Sequence, residues 1–148
     1  MSLQKEVMEK MKEAMKSKDT TALEALRALK SAFLLANTSG SGVELSESDE
    51  IKIVQKLVKQ RKDSAAIFNE QGREDLAEPE LAQSAVLEKF LPAQMSEEEI
   101  TAVIEKIIAD TGASSMKDMG KVMGIASKQL AGKADGKTIS GIVKSSLS

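Results

Sequence analysis

Apolar residues recur along this chain at every third or fourth position, in seven stretches separated by turn-forming residues. That spacing puts side chains on one face of an α-helix, whereas strands need strict alternation, which is almost absent. The first stretch, about residues 2–17, carries Val7, Met8, Met11 and Met15 among lysines and glutamates, the pattern of a surface helix with one buried stripe. Asp19 or Thr20 can cap a second helix that turns Leu23, Leu26, Leu29 and Phe33 inward, with Arg27 and Lys30 beside them. It should end near Asn37, before a flexible loop of Thr38, Ser39, Gly40, Ser41 and Gly42.

The third helix starts near Ser46 or Ser48, where Ser46 and Asp49 have capping-box spacing, and runs to about Gln71 before Gly72. Val54, Leu57, Val58, Ala65 and Phe68 fall on one side of it, and Lys52, Lys56 and Lys59 lie within about 60° of each other on the other. Arg61 falls in the middle of the apolar stripe. An unpaired guanidinium is prohibitively expensive to bury, so a structural ion pair with a carboxylate of the next helix is expected, for example Glu80 or Glu88. That fourth helix should occupy part of 73–90 with Leu81, Val86, Leu87 and Phe90 inward. Pro79 either starts it or kinks an earlier segment that begins at Arg73.

Pro92 closes this segment, and Ser96 with Glu99 forms a second capping box, which makes the interval the best place for a domain boundary. Ile100, Val103, Ile104, Ile107 and Ile108 then fit the helical template until Gly112 stops it, and Glu97, Glu98 and Glu99 match the positive end of the helix dipole. A sixth helix, about 115–131, buries Met119, Val122, Met123, Ala126 and Leu130. A seventh, about 138–147, supplies Ile139, Ile142 and Val143 after a turn at Asp135 and Gly136. The expected fold is all-α: an N-terminal four-helix part over 1–92 and a C-terminal three-helix bundle over 96–148.

Composition removes whole classes of function. Without histidine or cysteine the usual zinc ligands and neutral-pH proton shuttles are missing, so no metal or other cofactor is expected. No serine stands in a glycine-framed nucleophile turn with a histidine partner, and an enzyme would have to work with carboxylates and lysines alone. Cysteine-free composition suits a reducing compartment, and charge begins at Lys5 and Glu6 with no apolar signal or membrane-length run after Met1. The expectation is a cytoplasmic protein with no membrane association. Tryptophan and tyrosine are absent, so any nucleic-acid contact must be electrostatic rather than stacked.

The net charge of −2 hides an uneven distribution. After Gly112, Lys117, Lys121, Lys128, Lys133, Lys137 and Lys144 face only Asp118 and Asp135. In the sixth helix Lys117, Lys121 and Lys128 line the side opposite the apolar stripe, Gly124 falls in their row and Gly120 lies next to it. Each glycine inside a helix costs about 1 kcal/mol relative to alanine, so something should approach that backbone. Either another helix packs there, or Lys117, Gly120, Lys121, Gly124, Lys128, Lys133 and Lys137 seat a phosphate backbone. The run Gly136, Lys137, Thr138 imitates the end of a nucleotide-binding loop, but such a loop must follow a buried strand and none is predicted.

Arg27, Leu29, Lys30, Ser31 and Ala32, the block Lys56, Lys59, Gln60, Arg61, Lys62, Asp63 and Ser64, then Gly72, Arg73, Asp75 and Leu76, resemble the YqeY-like family. Leu91 with Pro92 and the segment from Met119 to Lys137 are similar to that family and to the C-terminal tail of one component of the aspartyl/glutamyl-tRNA amidotransferase. The chain departs from that tail at Lys121, Asp135 and Gly136. The resemblance implies two helical bundles and a non-catalytic accessory module that holds tRNA, in a family whose label can read carbon–nitrogen ligase with glutamine as amido donor. Two alternatives stand beside it: an adaptor that meets a protein partner through the Lys52, Lys56, Lys59 face or the first helix, and an amidotransferase-associated enzyme.

Overall fold

Helical periodicity in the sequence is realised as helices in the computed structural model, which describes residues 3–39 and 44–148. The elements are α1 (Leu3–Ser17), α2 (Thr20–Ser39), α3 (Glu47–Glu70), α4 (Glu74–Glu88), α5 (Glu97–Thr111), α6 (Met119–Gln129) and α7 (Gly136–Leu147). A 3-10 turn over Met116–Asp118 precedes α6, and no strand occurs among the described residues. The protein is therefore all-α. The chain divides into two compact units, 1–91 and 92–148, each with its own apolar cluster.

In the first unit Val7, Ala14, Ala25, Leu26, Leu29, Phe33, Val54, Val58 and Leu87 form the buried cluster. α1 corrects the expected methionine stripe: Val7 and Ala14 are buried, Met8 and Met15 are 42% and 52% exposed, and Met11 is half-buried. The small Ala14 lets α1 lie close to its neighbours at a position where a methionine stripe would hold it off. α2 continues past Asn37 to Ser39, and in its last turn the Thr38 hydroxyl lies 3.1 Å from the carbonyls of both Leu34 and Leu35, to which it donates. The rest of the expected loop, Gly40, Ser41 and Gly42, lies outside the described residues.

Ser46 opens α3 with a complete capping box: its hydroxyl accepts from the Asp49 N–H at 3.1 Å, and Asp49 accepts from the Ser46 N–H at 3.1 Å. The Ser46 hydroxyl, donating to the Asp49 carboxylate at 2.8 Å, and after it the Ser46 N–H hold that carboxyl below its ordinary range. Glu50, one residue on, is 5% exposed and accepts the Gln4 N–H at 3.2 Å, so a carboxylate of α3 serves the first turn of α1. Burial pushes the Glu50 carboxyl above its usual range.

α3 and α4 meet across small residues, Ala65, Ala77 and Ser84, all buried. Arg61 does not form the ion pair expected with Glu80. Its Nε donates to Oε1 of Gln83 at 3.1 Å and its Nη1 to the Leu57 carbonyl at 3.4 Å, while Glu88 pairs with Lys62. The guanidinium is half-buried rather than buried, so solvent shares the cost of its charge and a neutral amide suffices as acceptor. Gln83 passes the connection on, its Nε2 donating to Glu24 at 3.2 Å, so Arg61, Gln83 and Glu24 tie α3 to α4 and α2.

α4 begins at Glu74 and runs through Pro79, whose missing N–H falls in the second turn, near the helix start. Arg73 lies just before it and grips Asp75 with two bonds of 3.0 and 2.9 Å, which hold the Asp75 carboxyl down. Leu81 is 45% exposed, not inward as its spacing suggests, because Ala77, Ser84 and Leu87 supply the buried face of α4.

In the second unit Ile100, Ile104 and Ile107 of α5 meet Val122 and Ala126 of α6 and Ile139, Val143 and Leu147 of α7. Ser96 caps α5 through a box with Glu99, and Gly112 ends it in the left-handed region at φ 70°. α7 starts two residues earlier than its apolar pattern suggests, because Asp135 accepts the Thr138 N–H at 2.6 Å and so recruits Gly136 and Lys137 into the first turn. The loop-like run Gly136, Lys137, Thr138 is thus a capped helix start following α6, with no strand before it.

Candidate nucleic-acid interface

The residues singled out in the sequence converge on α6, its preceding turn and the α6–α7 connection. Val122 and Ala126 bury one side of α6, and the opposite side turns outward. There Lys121, Gly124 and Lys128 are exposed, with Gly120 exposed on the flank of the row. Lys121 and Lys128 are two turns apart, about 10.5 Å along the axis. Lys117 stands apart from this register, because Met116–Asp118 is a 3-10 turn rather than the first turn of α6. It is nevertheless exposed.

The space around the glycines bears on the two explanations open at the sequence level. A Cβ built on Gly120 or Gly124 would meet nothing within 4 Å outside its own helix. Among the described residues of its own unit no other helix comes within that distance of either glycine, so packing inside this bundle does not account for them. What they leave is bare main chain beside lysines.

Those lysines are uncommitted. Among the described residues Lys117, Lys121, Lys128, Lys133, Lys137 and Lys144 join no ion pair. The two acids of the region are occupied locally: Asp118 accepts the Ser114 N–H at 3.0 Å, and Asp135 caps α7. Lys133 lies in the connection with its side chain exposed and its carbonyl accepting the Met95 N–H at 3.0 Å. The neighbouring Gly132 is buried at φ 78° and its carbonyl accepts from Gln94 at 2.7 Å, so this turn is pinned on its inner side and offers its charge outward.

α7 repeats the arrangement, which the sequence reading missed. Lys137, Gly141 and Lys144 follow one another at i, i+4 and i+7 on the side away from Ile139 and Val143. All three are exposed, and a Cβ on Gly141 would also meet nothing within 4 Å. The spacing was visible, but Gly141 interrupts a short helix near the chain end, where a glycine draws little notice.

The Lys52, Lys56, Lys59 face of α3 is exposed, and Lys59 pairs with Asp63 at 2.7 Å. Among the described residues no group of three or more acidic side chains is placed to hold a metal ion, and no helix is long and apolar enough to cross a membrane.

A family model described as Yqey-like protein matches residues 4–147. The chain belongs to the YqeY-like family. A relative from Kluyveromyces lactis, altered inheritance of mitochondria protein 41, mitochondrial, is 33% identical over 138 residues, covering 92% of this chain and 71% of that protein. Its counterpart of the same name in Clavispora lusitaniae is 35% identical over 91 residues, which are 60% of this chain and 52% of the relative. A glutamyl-tRNA(Gln) amidotransferase component from Thermococcus gammatolerans is 30% identical over 106 residues, 69% of this chain but 17% of that much longer protein. This YqeY-like chain thus shares sequence with an amidotransferase component over a small part of that component's length.

Proposed function

We propose that this YqeY-like protein is a non-catalytic tRNA-binding module whose C-terminal unit grips the phosphate backbone. The observation that carries the reading is the open space over Gly120 and Gly124, next to lysines that join no ion pair among the described residues. Phosphate contacts need positive charge and close access to main-chain N–H groups or small residues, not a base-specific pocket. The similarity to a component of a glutamyl-tRNA(Gln) amidotransferase makes tRNA the RNA of choice. The reading gives this chain no part in amide transfer itself.

The test is a titration of tRNA at several salt concentrations. About four phosphate contacts give a log–log slope near −4, and each of Lys121→Ala and Lys128→Ala should reduce it by about one. A flat salt response overturns the reading. Incubation of the purified protein with glutamine and mischarged tRNA should yield no amide product. For the compartment, the cysteine-free composition favours the cytosol while two relatives carry mitochondrial names, and fractionation decides.

A further inference from the structure

The first unit carries an unfilled helical groove unrelated to the lysine and glycine rows. α4 packs against both α2 and α3, whereas α2 and α3 touch each other only sparsely. Ala32, Leu35 and Ala36 of α2 and Ile53, Lys56, Leu57 and Gln60 of α3 line a shallow groove of about 330 Å³ between them. Leu35 is 68% exposed, the most exposed large apolar side chain among the described residues. Ile53 and Leu57 are half-buried and form an apolar floor, and the alanines leave room for a close approach.

We propose that this groove docks an acidic amphipathic helix from a partner protein. Two helical walls with small residues between them accept the ridge of a third helix, presenting apolar anchors at i, i+3, i+4 and i+7 to Leu35, Ile53 and Leu57. The charge of the partner follows from the rim. Among the described residues Lys56 is the single charged one lining the groove, no acid lines it, and Lys52 is exposed one turn before Lys56. Carboxylates flanking the apolar ridge of the incoming helix meet those ammonium groups. A nucleic acid fits poorly, since an apolar floor without aromatic side chains gives phosphates and bases nothing to hold.

The experiment replaces Leu35 with p-benzoylphenylalanine in the full chain, irradiates cells of the source organism and sequences the crosslinked peptides. Lys56→Glu and, as a remote control, Lys16→Glu are built in the same background, with helicity checked by circular dichroism. The expected product is a protein segment with helical apolar spacing and aspartate or glutamate on its flanks. Lys56→Glu should cut its yield about fivefold and Lys16→Glu should leave it unchanged. Crosslinks to RNA, to a second copy of this chain, to basic or non-helical segments, or to nothing overturn the proposal, as does an acidic segment whose yield Lys56→Glu leaves intact. None of these outcomes bears on tRNA binding by the second unit.

Discussion

Gly120, Gly124 and Glu50 show how a single side chain, or its absence, can be set against stability. Nothing surrounds the two glycines, so alanine fits at both and should stabilise α6 by about 0.5–1 kcal/mol per site through helix propensity. If the open backbone seats phosphate, the same double substitution weakens tRNA binding. Thermal unfolding and a tRNA titration of Gly120→Ala/Gly124→Ala should therefore move in opposite directions, and a variant that gains stability with unchanged affinity would remove the glycines from the interface. For Glu50 the sign is fixed by burial, which raises its carboxyl above the value of 4.5 that it takes when unfolded. Its contribution to stability is fully present below that unfolded value and is lost as pH rises through the raised folded one. Glu50→Gln keeps an acceptor for the Gln4 N–H and abolishes the loss. The variant should match the parent near pH 4 and melt higher near pH 7.

Between elements, the junction of α2, α3 and α4 depends on a neutral side chain. Gln83 accepts from Arg61 and donates to Glu24, so Gln83→Ala strips both at once and should cost about 1–2 kcal/mol in a denaturant titration. Helix positions and caps were legible in the sequence, because periodicity and the boxes at Ser46 and Ser96 are local signals. Partners were less so. Arg61 was expected to find Glu80, but a helical register identifies a face, not which residue on the facing helix comes within reach. Leu81 and the α1 methionines misled for a related reason: hydrophobicity marks candidates for burial, and neighbouring alanines or serines can fill the interface instead. The glycine and lysine row of α6 was readable from spacing, whereas the emptiness above it required three-dimensional neighbours.

For the whole molecule, two units with separate apolar clusters imply two centres of stability. Leu29 is fully buried in the first and Ile104 in the second. Leu29→Ala should destabilise its own unit by about 2–5 kcal/mol through the cavity it leaves. Hydrogen exchange should then accelerate at core amides of α2 and α3 while those of α5 and α7 keep their protection. Equal acceleration throughout would mean that the chain opens as one cooperative body. Charge does not follow that boundary: lysines outnumber acids after Gly112, in α6, α7 and their connection, whereas α5 of the same unit is acidic. The RNA-facing role proposed above therefore rests on α6, α7 and their connection, not on the charge of the second unit as a whole.

The outward position of Met8 and Met15 bears on oxidative damage. A thioether that becomes a sulfoxide turns polar, which disrupts a core but costs little at a surface. α1 closes its interior with Val7 and Ala14, neither of which an oxidant can modify in this way. Peroxide treatment should therefore add oxygen to Met8, Met15 and the comparably exposed Met116 before the half-buried methionines, read by mass spectrometry, while the far-ultraviolet spectrum of the protein stays unchanged. Sulfoxide at Met8 or Met15 leaves the apolar contacts of α1 untouched.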